Sequence, residues 1–304
     1  MFFYLLKQHP IYPTAHAPAY SNIAFTLLGY AQEAITGESF NNTISKSIFS
    51  VLDMKHSSFE ETPLSGGVIP GNNASEVGWD LDFGQTAPAG STYSSTADMV
   101  KAAQAILQST LISPAQTRRW LKPMIQTGYL STAVGAPWEI RYLNFPNQRM
   151  VQCHTKQGDV GSYHTALALS PEHDLGWVVL TGGTANSTAS NVRNELFNAF
   201  SDIFLPAAEK QAREEAVINF SGNYVDETTN SSATIQAGDN GRAGLVVLSL
   251  ISHGVEVVGP NSPLIEVYGA GQSARLYPSQ LRTVSRRRDG SGTYESTRLP
   301  GYVL

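Results

Sequence analysis

The first part of the chain is patterned at helical spacing. Apolar residues recur at Ile23, Leu27, Ala31 and Ala34, and Gly37 stands where a helix stops in a left-handed turn. Pro13, Pro18 and the small residues between them read as an extended lead-in. A second helix is predicted from Phe40, with Ile44, Ile48 and Leu52 on one face. In "STYSSTADMVKAAQAIL", Ser95 stands three residues before Asp98, the spacing of a capping box. The helix beyond it is expected to bury Met99, Ala103 and Ile106. Further on, Ser113 reads as an N-cap, Pro114 as the first helical residue and Pro123 as the stop.

Near residue 137 the period falls to two. "WEIRYL", "RMVQCHTK", "SYHTALALS" and "LGWVVLTGG" are β-rich and separated by "FPNQ", "QGDVG" and "PEHD", which carry turn chemistry. They predict consecutive antiparallel strands. Residues 190–216 return to helical spacing, with Val192, Leu196, Ala199 and Ile203 on one face, and Pro206 is expected to break or kink that helix. From Asn219 onward, short strand-like runs alternate with Gly, Asn and Ser, among them "FSGNYV", "SATIQA", "GLVVLSLI", "GVEVVG", "LIEVYG", "ARLYPSQL" and "TRLPGYVL". The pattern predicts an α+β fold in two domains. Residues 1–216 combine a helical region with an antiparallel sheet and a packed C-terminal helix, and residues 217–304 form a small β-rich module.

Composition narrows the function. The 304 residues are 41% hydrophobic and 15% charged, with a net charge of −5, an ordinary globular balance. It gives no reason to expect nucleic acid or an anionic membrane as partner. The basic run Arg286-Arg287-Arg288 stands before Asp289 and Gly290 and reads as a solvated turn. Cys153 is the single cysteine, which excludes an internal disulfide and a thiolate metal cluster. The histidines show no metal-ligand spacing, so no cofactor is expected. Apolar runs such as Leu245–Leu250 are far shorter than the roughly 18 residues of a membrane span. The opening "MFFYLLKQHP" lacks a basic leader, so no signal peptide is read there. Asn-x-Ser/Thr acceptors at Asn41, Asn73, Asn186, Asn219 and Asn230 are slight support for a secreted glycoprotein.

Two short motifs carry the candidate chemistry. Tyr20 and Asn22 stand two apart where a proline-bounded turn meets a helix. A buried tyrosine beside a cation can serve as a base, and a carboxamide can hold a lysine or a substrate carbonyl. Taken alone, this pair reads more readily as a half-buried aromatic and a helix cap. In "HTKQGDVG", alternation puts His154, Lys156 and Gly158 on one face of a strand, with Cys153 and Thr155 on the other. Gly158 leaves room for a substrate backbone along the strand, and Gly158 and Gly161 make the turn that follows. Alone, Lys156 reads as a solvated edge lysine. Ser21 is expected to point away from its neighbours, Cys153 to be an inert small hydrophobe, and His164 to lack an orienting acid.

Together, Tyr-x-Asn at a helix start and Lys156-Gln157-Gly158 on an antiparallel strand resemble the serine β-lactamase and penicillin-recognising enzymes, in the branch of class C β-lactamases, DD-peptidases and esterases. "PAYSNIAFTLLGYAQEAITGESF", "IFSVLDM" and "PAGSTYSSTADMV" resemble that family's helical region, and "TKQGDVGSYHTALALSPEHDLGWVVLT" its strands. The C-terminal module, at "RLYPSQL" for instance, resembles the extra domain of secreted fungal members. The resemblance implies acyl transfer or hydrolysis of an amide, ester or lactam, in small-molecule biosynthesis as one alternative and with binding alone as another. It implies Tyr20 as general base, Asn22 and Lys156 as positioning and charge, His154, Gly158 and Gly161 around the substrate, and a small acyl compound as partner. The family also uses a Ser-x-x-Lys nucleophile upstream of Tyr-x-Asn. No lysine here follows a serine by three; "TISK", at Thr43–Lys46, is the nearest string. The resemblance therefore places Met1 inside the family domain, with no nucleophile in this chain and a sheet face open to a partner chain.

Overall fold

A computed structural model describes residues 7–14, 16–59, 66–146, 149–184, 188–238, 242, 244–262, 274–277, 282–286 and 293–297. The chain divides into two compact units. One comprises residues 1–143 and 151–204, the other residues 144–150 and 205–304.

In the first unit, helix α1 spans Asn22–Thr36. Its N-cap is Ser21, whose hydroxyl accepts the Ala24 N–H at 3.2 Å. It ends at Gly37, in the left-handed region at φ 72°, whose N–H returns to the Glu33 carbonyl. The buried face differs from the expected one. Thr26 and Gly29 are buried, while Ile23, Ala31 and Ala34 are exposed. A contact between distant segments decides this. A Cβ on Gly29 would lie 2.4 Å from Pro88 Cγ, so α1 packs closest where it has no side chain. Helix α2 covers Phe40–Ile44 and continues as a π-helical turn over Ser45–Phe49. The wider turn rotates the apolar face, so Phe49 is buried and Ile44, Ile48 and Leu52 only half-buried.

Helix α3 spans Thr96–Leu107 and is capped by Ser95, which accepts the Asp98 N–H. Asp98 does not complete a capping box. Its carboxylate is 1% exposed and accepts the His56 N–H at 2.6 Å and the Ser57 hydroxyl at 3.0 Å, tying a neighbouring loop to the helix. Of the residues expected inside, Ala103 is buried, while Met99 and Ile106 are half-buried. Helix α4, Pro114–Trp120, has both halves of the capping box, with Ser113 and Gln116 exchanging bonds.

The strands form one antiparallel meander: β1 Ile125–Gln126, β2 Thr132–Val134, β3 Glu139–Leu143, β4 Val151–Val160, β5 Tyr163–Ser170 and β6 Leu175–Gly182, hydrogen-bonded in that order. β4 runs straight through Gln157-Gly158-Asp159, which the sequence reads as a turn. Its ladder with β5 pairs Gly158 with Thr165 and Asp159 with His164. Helix α3 lies against this sheet, and Ala103, Leu121, Ala133, Trp138, Ile140 and Leu169 form its buried core.

Helix α5 spans Ala189–Phe220 and passes through Pro206 without a break. Phe197 and Phe204 pack on Trp177, and Arg149 pairs with Glu209 at 2.7 Å. These contacts hold the helix on either side of the one backbone donor that proline removes. In the second unit, β7 Gly222–Asp226, β8 Ser231–Ala237, β9 Leu245–Ser252 and β10 Val255–Val258 pair in sequence, and β11 Ala274–Leu276 also pairs with β9. β12 Arg282–Arg286 and β13 Thr293–Thr297 form a separate hairpin. Arg286 thus ends a strand. Arg287, Arg288 and the strand-like runs at 264–269 and 298–304 lie outside the described residues.

Candidate active site

Tyr20 and Asn22, neighbours at the start of α1, meet Lys156, more than a hundred residues further on, in the first unit. Tyr20 sits just before the N-cap of α1, and Asn22 is the first residue of that helix. The Tyr20 hydroxyl donates to Asn22 Oδ1 at 2.9 Å. Lys156, on β4, places its ammonium 5.0 Å from the centroid of the Tyr20 ring. The cation faces the ring's π surface, an attraction of roughly 0.5–1 kcal/mol at an open site. The sequence reading assumes a buried, cation-flanked tyrosine. The cation is there, but Tyr20 is 65% exposed.

Register brings in a residue that spacing alone does not reveal. Glu139 lies opposite Thr155 in the β3–β4 ladder. Its Oε1 accepts from Lys156 Nζ at 2.9 Å, and the same ammonium donates to the Gln157 carbonyl at 2.7 Å. The lysine is therefore aimed by three groups: a carboxylate, a carbonyl and an aromatic face. Glu139 is half exposed, so the pair is worth about 0–1 kcal/mol and is easily exchanged for another anion or carbonyl.

The other predicted residues take different positions. Gly158 is exposed on β4, and a Cβ there would meet Thr165 Oγ1 at 3.0 Å. His154 is 4% exposed. Its Nε2 lies 2.5 Å from the Leu121 carbonyl, and its ring meets Trp138 edge-on. Burial holds its pKa below the ordinary value, against the opposing pull of the Leu121 and Leu169 backbone and the Glu172 charge. The strand does not simply alternate here, because Cys153, His154 and Thr155 are all buried. Gly161, at φ 55°, lets the β4–β5 turn touch the end of the short helix Ala74–Val77: a Cβ would lie 2.3 Å from the Val77 carbonyl, which accepts the Ser162 N–H at 2.9 Å. His154 and Gly161 both make packing contacts within the first unit.

His164 does have an orienting acid, contrary to the sequence reading. Its Nδ1 lies 2.6 Å from Asp159 Oδ1, and the buried Arg193 of α5 reaches the same oxygen at 2.8 Å. The two residues are cross-strand partners beside the Gly161-Ser162 turn. In the sequence Asp159 reads as part of the turn, which hides this pairing. Cys153 is fully buried, and burial pushes its thiol up to about 12, far from a reactive thiolate. Among the described residues, no group of His, Cys, Asp and Glu side chains is placed to hold a metal. No described helix is long and apolar enough to cross a membrane.

Comparison with known proteins matches this architecture. Residues 1–197 match the family model described as Beta-lactamase, and residues 212–299 one described as Beta-lactamase-like-like, C-terminal domain. A beta-lactamase-like protein of Arthroderma benhamiae is 31% identical over 232 residues, covering 74% of this chain and 37% of that protein. A probable hydrolase of Phoma sp. is 27% identical, covering 88% of this chain and 44% of the relative. The chain thus spans 37% and 44% of the lengths of these two relatives. Among solved structures, the D-amino acid amidase of Ochrobactrum anthropi with D-phenylalanine gives a TM-score of 0.50 at 18% identity, covering 62% of each chain. A D-stereospecific amidohydrolase of Streptomyces gives 0.50 at 15% identity, covering 65% of this chain and 58% of its own. At such identities the likeness is one of fold. The family match takes in the helices and the whole six-stranded sheet that hold Tyr20, Asn22 and Lys156, and this chain belongs to the β-lactamase family.

Proposed function

We propose that this chain carries the proton-handling and positioning half of a site for acyl transfer or hydrolysis of an amide, ester or lactam. One observation carries the reading: a phenol bonded to a carboxamide at the start of α1 lies against an ammonium from β4. A carbonyl under attack needs a group that takes and returns a proton, and donors facing the oxygen that gains charge. Tyr20 would take the first role once its hydroxyl leaves Asn22. Asn22 Nδ2 and Lys156 would supply donors, with Glu139 setting where the ammonium rests. Gly158, bare on β4, leaves the strand open to a substrate backbone.

The reaction also needs a nucleophile, and no Ser-x-x-Lys occurs in these 304 residues. In this reading the nucleophile comes from outside the present sequence, and the chain by itself binds a small acyl compound without being acylated. Losing the nucleophile from a serine hydrolase removes about 10⁶ of its rate. Incubation with a chromogenic cephalosporin and with a p-nitrophenyl ester, followed by intact mass, tests this. The unmodified mass is expected. A stoichiometric adduct would overturn the reading, and its position would identify the nucleophile.

A further inference from the structure

From Met99 to Trp138 the sequence contains no Asp or Glu, yet it carries Lys101, Arg118, Arg119 and Lys122. This is a positive island in a chain of net charge −5. Lys101 is used internally, against Asp53 and Asp98. Arg119 and Lys122 make no ion pair with any described residue. Both line an open groove of about 430 Å³ between the end of α4 and the start of β1. The rest of its wall is mainly apolar: Ile112, Trp120 and Met124, with Gln116 at one side. Trp120 is 36% exposed and Met124 62% exposed. The Trp120 indole N–H donates to the Ala136 carbonyl at 2.7 Å, and its ring packs on buried Trp138, so one wall of the groove is fixed.

Two cations without an ion pair among the described residues, beside an aromatic and thioether floor, match one ligand chemistry. We infer that this groove binds a free amphipathic organic anion, a carboxylate with an apolar body. The carboxylate sits between Arg119 and Lys122, and the body lies on Trp120 and Met124. The volume falls within the roughly 300–1,000 Å³ of small-molecule sites. Arg119 offers a two-pronged donor face and Lys122 a point charge. None of the residues assigned to acyl chemistry takes part, so the inference stands or falls apart from the proposed function.

Calorimetric titration of the full chain with decanoate tests it. Saturable binding with a Kd below about 1 mM is expected. Decanol, equal in length but uncharged, should bind at least about tenfold more weakly. Arg119→Ala with Lys122→Ala should cost a similar factor, and Arg119→Glu with Lys122→Glu should exchange decanoate for decylamine. Circular dichroism checks that these surface variants fold. A photoreactive decanoate analogue on the unaltered protein should label peptides holding Trp120 or Met124, which keeps the test independent of any variant. Equal affinity for decanol, unchanged affinity in the double alanine variant, or labelling elsewhere would overturn the inference. So would absence of binding, or preference for phosphatidylglycerol vesicles over monomeric decanoate.

Discussion

His154 shows how neighbours decide a residue's role. Two positions from Lys156, it reads in the sequence as a companion in the site. The structure buries it beneath Trp138 with its ring against the Leu121 carbonyl. Burial disfavours the charged ring and lowers its pKa below 6.5. The unfolded chain protonates this histidine more readily, so its contribution to stability is complete above about pH 6.5 and is lost as pH falls through the lower folded value. His154→Gln keeps a donor for Leu121 and removes the titration. Urea midpoints measured from pH 7.5 to 5 should decline more steeply for the natural protein than for this variant, whereas parallel profiles would count against burial as the cause. Glu139 is the opposite case. Its sequence position suggests nothing, yet it aims Lys156. Residue type alone could not reveal it, because the pairing depends on the β3–β4 register.

Among the elements, strands were more legible than the faces of helices. β3, β5 and β6 form where their β-rich runs predict strands, and β6 alternates along its middle, with Trp177 and Val179 buried. The caps Ser95 and Ser113 were readable because capping is local chemistry. The inward face of α1 was not readable, since it depends on Gly29 meeting Pro88 from another segment. The π-helical turn after α2 shifted a face that regular spacing placed elsewhere. The length of β4 is not legible in the sequence, because Gly158 and Asp159 resemble turn residues, whereas the ladder to β5 overrides that preference. The real turn depends on Gly161. Gly161→Ala combines a left-handed backbone with a clash against the Val77 carbonyl, and should destabilise by about 1–3 kcal/mol. Thermal or urea unfolding reads this directly, and a change near zero would mean that the turn and the helix end at Val77 are free to separate.

At the scale of the molecule, family membership was legible because its motifs sit on one helix start and one strand, and both elements form where local pattern puts them. The charge asymmetry around α4 takes its meaning from the fold, where Arg119 and Lys122 share a groove. Cys153 offers a probe of the whole first unit. Buried in the middle of the six-stranded sheet, its thiol is pushed up to about 12 and is out of reach of reagents. Alkylation by iodoacetamide near neutral pH should be negligible in native buffer and should rise along the urea transition, together with the loss of helical circular dichroism. Rapid labelling without denaturant would show that the sheet opens locally. The contact between the Val77 carbonyl and the Ser162 N–H also bears on engineering. Hairpin tips are the usual places to splice in an epitope or fluorophore, because they tend to be free. Here the β4–β5 tip is part of a clasp, and an insertion at 161–162 would release the helix end beside it and loosen the end of the strand that carries Lys156.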